Sequence, residues 1–522
     1  MVRHGALLGQ LLIDDFLPAY SAMHPSLHRY CNVPDQVDVE ALLYVLARLP
    51  EGVHKVREIL VQADLPDRVP PEGLQEVVVP TRRRATYLLG EERCVIVARE
   101  GVTELLDLAT LLSAFEVESR KLERLLAGSE LLDDLRTASP GPDENRLLVR
   151  LAFELGTRDE LIMEWREFWG TEFLARVTGL VDNPPHVRVR LHRDYCLQSA
   201  QDRSRNWARR LAQEVNARTQ KRRPIHLISS NTHSTVNLLS PFARQYREDI
   251  LEWGQQTQPK LFSEPGVDLD NLLYFLLKSW LDAHPGRRAE QEEIHAECGL
   301  LTLTDLDRVG VTAQLIDLAN LPLEHIDPRL GIQKLDNPPI IVNFDYAFGD
   351  QAGVVGEQLF RELAEHDVRS FSILGKAGSL VGERGSVMLP QYLLRESSRD
   401  IYDIPGGNLL RAADLPGLQV FDQGPVLTVL GTILQNDELL KSYRDEWMAL
   451  GLEMEGIPYL RSVHQALKLG WISPQIKVAI GYYASDAPLV PGESLSRALS
   501  LRGLNPTYGL NLALLRKLLQ AS

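Results

Sequence analysis

Apolar residues recur at spacings of three and four through residues 102–112, 118–126 and 144–155, which predicts helices that each bury one stripe. Residues 161–168 extend the pattern, and Ser139-Pro-Gly-Pro-Asp is a break between helices. Val77-Val-Val-Pro, Cys94-Val-Ile-Val-Ala and the alternating His186-Val-Arg-Val-Arg-Leu predict short strands. Trp165, Phe168 and Trp169 are expected in a core rather than on a ligand platform. Residues 1–220 therefore predict a mainly helical domain, in which no motif points to a chemical role.

The pattern changes after Arg223. Ile225-His-Leu-Ile-Ser-Ser, Ile340-Ile-Val-Asn-Phe, Ser370-Phe-Ser-Ile-Leu, Val426-Leu-Thr-Val-Leu and Ile476-Lys-Val-Ala-Ile-Gly-Tyr-Tyr are compact apolar runs. Helical periodicity fills residues 354–363, 437–450, 455–469 and 510–519 between and after them. Strands alternating with helices predict an α/β domain over residues 221–522, a mixed central sheet flanked by helices. Residues 241–336 are expected to be a helical insertion between the first two strands, with Asp270 capping one of its helices. The repeated Asp-Asn-Pro-Pro at Asp182 and Asp336 is expected to be a shared strand-entry turn.

Composition narrows the partners. The formal net charge of −15 disfavours a phosphate backbone, so nucleic acid is not expected as a partner. Arg82-Arg-Arg and Lys221-Arg-Arg are read as solvated basic runs. No run approaches the ~18 consecutive apolar residues of a membrane span. The short apolar stretch near the N-terminus lacks a signal-peptide cleavage site. Cys31, Cys94, Cys196 and Cys298 are far apart and show no metal or disulfide spacing, so a reducing cytoplasm is the expected compartment. His295-Ala-Glu-Cys matches half of a zinc deaminase signature, but the partner thiolates are missing, and no metal or cofactor is expected.

Three separated segments carry a chemical signal. Gly375-Lys-Ala-Gly-Ser-Leu follows an apolar run, and its small residues suit a turn at a strand's carboxyl end whose amides face a ligand. Gly451-Leu-Glu-Met-Glu-Gly opens a helix. A carboxylate there can accept two hydrogen bonds from a vicinal diol, and a methionine can pack against a sugar. Tyr483-Ala-Ser-Asp-Ala-Pro follows a strand, where open α/β sheets place chemistry. Taken singly, each also reads as structure: a tight turn, an acidic helix N-terminus, a loop.

In this order the three segments resemble the nucleoside phosphorylase superfamily, and within it most closely the AMP nucleosidases. Val342-Asn343, Gly349, Gly385-Ser-Val and Gly424-Pro-Val-Leu-Thr fit the same pattern. The resemblance is good from Ile340 onwards and weaker back to residues 225–234. It does not cover the first half of the chain.

The resemblance implies that Glu455 binds the ribose hydroxyls, that Met454 packs against the sugar, and that Asp486 protonates or hydrogen-bonds the purine N7 as the base departs. It places Gly349, Gly375 and Gly378 around the ligand. It also implies that the loop with Ser230 and His233 meets phosphate or the attacking water, with His233 as base or phosphate contact and Asp345 as a second group to orient water. Phosphorylases of this superfamily carry an arginine where Ile373 stands, which favours hydrolysis. Lys376 remains available for an inorganic or 5′-phosphate. That lysine keeps a phosphorylase open as an alternative, and Ser386 and Ala487, which depart from the family pattern, keep open a non-catalytic nucleotide sensor. The expected partners are a purine nucleoside or nucleotide and phosphate, with no membrane and a homo-oligomeric state.

Overall fold

The structure is a computed structural model that describes residues 11–62, 74–77, 79, 84–99, 102–138, 144–191, 197–218, 223–304, 309–490 and 501–520. Among them no helix is long and apolar enough to cross a membrane. The chain divides into two compact units, residues 1–200 with 433–437 and residues 201–432 with 438–522.

The first unit is mainly helical and also carries a sheet. Its described strands are β1 (Leu11–Leu12), β2 (Glu58–Gln62), β3 (Leu74–Glu76), β4 (Ala85–Leu89), β5 (Arg93–Val97) and β6 (Arg188–Leu191), in the order β1-β6-β2-β5-β4-β3. The strand expected from Val77 falls partly on residues 78 and 80, outside the described residues. The stripes at 102–112 and 118–126 join into one helix, Val102–Leu126, because nothing between them breaks it. Trp165 and Trp169 are core residues and pack with their ring centroids 5.0 Å apart, whereas Phe168 is exposed.

The long helix buries ions as well as leucines. Glu118 is fully buried and receives the His28 ring at 2.5 Å, the Lys121 ammonium at 2.6 Å and the Asp38 backbone N–H at 2.7 Å. Every donor around that carboxylate is answered, which is the condition for keeping a charge out of water. Arg84, the described member of the first basic run, is likewise buried, paired with Glu104 at 2.7 Å.

The second unit is built on one mixed sheet. Its strands are β7 (Pro224–Ser229), β8 (Leu300–Leu303), β9 (Ala313–Asp317), β10 (Ile340–Phe344), β11 (Asp367–Ser379), β12 (Val387–Met388), β13 (Tyr392–Arg395), β14 (Ile401–Asp403), β15 (Val420–Phe421), β16 (Val426–Thr428), β17 (Gly451–Glu453) and β18 (Lys477–Asp486). The main path runs β14-β13-β16-β17-β11-β7-β10-β9-β8, and β18 pairs with β11 and β12. β10, β7, β11 and β18 lie parallel to their neighbours in this group. All residues of β7 and β10 are buried, as strands covered on both faces must be, and this is why they read as unbroken apolar runs. One core cluster centres on Phe344, Phe371 and Tyr459, and another on Ile228, Leu276 and Leu514.

The stretch 241–336 departs from the expected helical insertion. It holds helices such as Leu269–Ala283, but also β9, antiparallel to β10, and β8, antiparallel to β9, which extend the main sheet. Asp268 rather than Asp270 caps that helix, accepting the Asp270 and Asn271 N–H groups at 2.8 and 3.1 Å, because the first helical residue is Leu269. Arg223, the described member of the second basic run, is tied to Asp317 at 2.5 Å and to the Pro338 carbonyl at 2.8 Å.

Candidate active site

The parallel strands end at Ser229, Phe344 and Asp486, and polar residues cluster there. Phe344 pairs with Ser229, and Ser229 pairs in turn with Ile373 on β11. Ser230 is fully buried. Its backbone N–H meets the Phe344 carbonyl at 3.0 Å and its hydroxyl donates to Asn343 Oδ1 at 2.7 Å. The Ser229 hydroxyl donates to the Tyr459 oxygen at 3.2 Å. Asn231 Oδ1 accepts the N–H groups of His233 and Ser234 at 3.2 and 2.8 Å, which turns the chain into the helix Ser234–Leu239. The loop is thus held mainly by Ser230 and Asn231, and His233 is exposed at the start of the helix.

The segment at Gly375 is not the turn its glycines suggest. β11 runs unbroken through Gly375, Lys376, Ala377 and Gly378 to Ser379. Pairing with β18 on one side and β17 on the other keeps it extended, with a register shift between Ala377 and Gly378. The small residues serve close approach instead: a Cβ built on Gly375 would lie 3.2 Å from the Tyr482 ring. Gly378 pairs with Leu452 on β17 and with Asp486 on β18. The Glu-Met-Glu segment and the Ser-Asp segment therefore flank one residue of β11. Lys376 is exposed, and Ile373 is buried.

Glu453 and Glu455 sit at the start of the helix Gly456–Lys468 and behave differently. Glu453 Oε2 accepts the N–H groups of Glu455 and Gly456 at 2.7 and 2.6 Å, and its other oxygen receives the Thr428 hydroxyl. Thr428 Oγ1 in turn accepts the Ile457 N–H at 3.1 Å. Glu455, partly buried, accepts the Gly349 N–H at 3.2 Å and the Met454 N–H at 3.3 Å. Gly349 has φ of 55°, a left-handed conformation that glycine adopts freely, and this aims its amide at the carboxylate. Burial and then the neighbouring Glu453 carboxylate push the Glu455 carboxyl up to about 7, against the pull of both amides and of the Lys376 ammonium.

Asp486 ends β18 and is buried, and it receives the Ser485 hydroxyl. Ala487 after it is also buried. Ser386 is buried and clips to the same strand, its carbonyl accepting the Ala484 N–H at 2.8 Å. Asp345 lies just beyond β10, buried, with Oδ1 accepting the Tyr346 N–H at 2.8 Å. The Tyr346 hydroxyl donates to the Leu374 carbonyl at 2.6 Å, and the charges of both Asp345 and Glu455 help hold that phenol far above its usual range after burial itself. Tyr346 and Tyr482 are residues of the candidate site that the motifs pass over, and Thr428, which ends the Gly424-Pro-Val-Leu-Thr segment, gains its role only here. Each sits on or beside an apolar run, and only its neighbours across the sheet give it a role.

His295 is held by a hydrogen bond to Ser240 at 2.8 Å.

Fold and site define the class: an α/β protein with a mixed sheet, flanked by helices, whose candidate site gathers acids where parallel strands end. The chain belongs to DUF6909, a family of unknown function whose profile matches residues 13–520. No curated protein matches it. Among solved structures it is similar to the 5′-methylthioadenosine/S-adenosyl homocysteine nucleosidase of Campylobacter jejuni, with 10% identity, 57% of this chain and 99% of that one covered, and a TM-score of 0.33. It is also similar to the AMP nucleosidase of Bacteroides thetaiotaomicron, with 16% identity, 42% and 82% covered, and a TM-score of 0.26. A third is the purine nucleoside phosphorylase of Toxoplasma gondii in complex with immucillin-H, with 14% identity, 45% and 87% covered, and a TM-score of 0.29. The functional reading is carried by the site's own residues.

Proposed function

We propose that the second unit cleaves the N-glycosidic bond of a purine nucleoside or nucleotide, with water as the acceptor. The observation that carries this reading is the pairing around Gly378, which brings the Glu-Met-Glu segment and Asp486 to the two sides of one strand. Cleavage builds positive charge on the ribose and negative charge on the base. Glu455 is read as the acceptor of both ribose hydroxyls, with Met454 against the sugar. Asp486 is read as the donor to N7. Water forms a bond to C1′ as the C1′–N bond breaks. The base leaves with the proton from Asp486, and the water's proton passes to a group at the ends of β7 and β10, where His233 and Asp345 are the candidates. Gly349 and Gly378 are read as leaving room for the ligand, Gly375 yields its space to the Tyr482 ring, and Ser230 holds the loop. Ile373, buried and apolar where phosphorylases carry arginine, favours water over phosphate. Lys376 is exposed and is read as the contact to a 5′-phosphate.

The test is incubation with a panel of purine nucleosides and nucleotides, with and without phosphate, followed by chromatography for free base. Release without phosphate is expected. Release only with phosphate would make the protein a phosphorylase, and binding without release would make it a sensor.

A further inference from the structure

Two acids stand two residues apart at the start of one helix, and the proposed reading uses only the second. Glu453 is 4% exposed and turned toward the backbone. Its two oxygens divide the work. One takes the N–H groups of Glu455 and Gly456, which have no partner within their own helix. The other takes the Thr428 hydroxyl, whose oxygen takes the Ile457 N–H. The peptide that carries the Glu455 side chain is therefore pinned at three successive amides to a carboxylate and a threonine on the adjoining strands.

We propose that Glu453 is a positioning residue that fixes the Glu455 carboxylate for a ribose diol and, by its own charge, couples diol binding to release of a proton. The proposal rests on reading Glu455 as the ribose acceptor. An ionised carboxylate accepts both hydroxyl protons of a diol, whereas the protonated form has to spend one oxygen as a donor. A second carboxylate next to it disfavours that ionised form in the empty site. The charged and titratable groups around Glu455 are Glu453 on β17, Lys376 on β11, Tyr346 after β10, Tyr459 on its own helix and Tyr482 on β18. The three phenols are held above their usual range by burial, so they stay uncharged near neutrality. Lys376 pulls in the opposite sense to Glu453. Burial itself, and after it the Glu453 carboxylate, raise the Glu455 carboxyl in the empty site, and Glu453 is the contribution that a substitution can remove.

Glu453→Gln separates charge from geometry. An amide oxygen can keep both N–H groups while the amide nitrogen donates to Thr428, so the peptide stays pinned and the charge is gone. Glu453→Ala removes both. The probes are adenosine, adenosine 5′-monophosphate and free adenine, titrated calorimetrically between about pH 5.5 and 8.5 in buffers of differing ionisation heat, which reports protons released. For the intact protein, ribosyl affinity is expected to rise as pH climbs through about 7, with a proton released below that point. Glu453→Gln is expected to move this rise about one pH unit lower and to keep its affinity at pH 8.5 within a few fold. Glu453→Ala is expected to lose roughly 10- to 100-fold in ribosyl affinity at every pH and little for adenine. Where that variant does not fold, the Gln variant alone decides. An unmoved pH profile in Glu453→Gln, with intact protein that does bind adenosine, overturns the coupling and leaves the ribose reading standing. Intact protein that binds neither ribosyl probe overturns both.

Discussion

The Gly349 N–H meets Glu455 Oε1 at 3.2 Å, across 106 positions of sequence. One end of this contact is a left-handed glycine beyond β10, the other a carboxylate at the head of a helix. The amide donates to the carboxylate, so Glu455 is held in a donor-accepting posture.

Exchanging Glu455 for Gln leaves one acceptor oxygen where two were. Affinity for adenosine should fall roughly 10- to 100-fold, while affinity for adenine changes little. Calorimetry on both ligands checks this, and equal losses would remove Glu455 from ribose recognition.

The same group makes the empty protein sensitive to pH. Its folded value, about 7, lies above the ordinary 4.5. A carboxyl raised in this way stabilises the fold below its unfolded value, and that contribution is lost as pH climbs through the folded value. Between about pH 5 and 8 the ligand-free protein should lose on the order of 1–2 kcal/mol on this account, allowing for partial exposure. The Glu455→Gln variant should show a flatter profile and a higher melting temperature near pH 8. Melting curves across that range, with and without adenosine, measure it.

Asp486→Asn keeps the shape of the side chain and its capacity to donate a hydrogen bond, yet cannot deliver a proton. Single-turnover release of base should slow about 100- to 10,000-fold with nucleotide binding nearly intact. Unchanged turnover in a variant that melts normally would show that Asp486 only braces the end of β18.

Gly456 is the first residue of its helix, and there is no room for a methyl group on it. A Cβ there would lie 2.6 Å from Leu393 Cδ1, 2.7 Å from the Tyr482 oxygen and 2.9 Å from Glu453 Oε1. Gly456→Ala should cost about 1–3 kcal/mol of stability and weaken ribosyl binding as the pinned peptide shifts. A thermal melt beside an adenosine titration distinguishes it from a distant core defect, which would lower stability alone.

In the first unit, Glu118→Ala should destabilise by roughly 3–5 kcal/mol, because the buried Lys121 ammonium would lose its counter-charge and the His28 ring and the Asp38 N–H their partner. A melt of the variant, with adenosine cleavage by the folded fraction as a second readout, shows how far the loss spreads.

Local chemistry was legible in the sequence. Unbroken apolar runs such as those at Ile225 and Ile340 are what a strand buried on both faces requires, so β7 and β10 could be read directly. The order of Glu455 and Asp486 along the chain carried the family resemblance. The tertiary structure decided what depends on partners distant in sequence. Gly375 and Gly378 look like turn residues alone, but β17 and β18 hold them extended. β8 and β9 lie in a stretch of helical periodicity, and they count as strands because β10 offers an edge to β9 and β9 in turn offers one to β8. Glu453 and Glu455 are the same residue type two positions apart. That Glu453 is tied to Thr428 and Glu455 to the Gly349 amide follows from where Thr428 and Gly349 lie, and no local pattern in the sequence contains that.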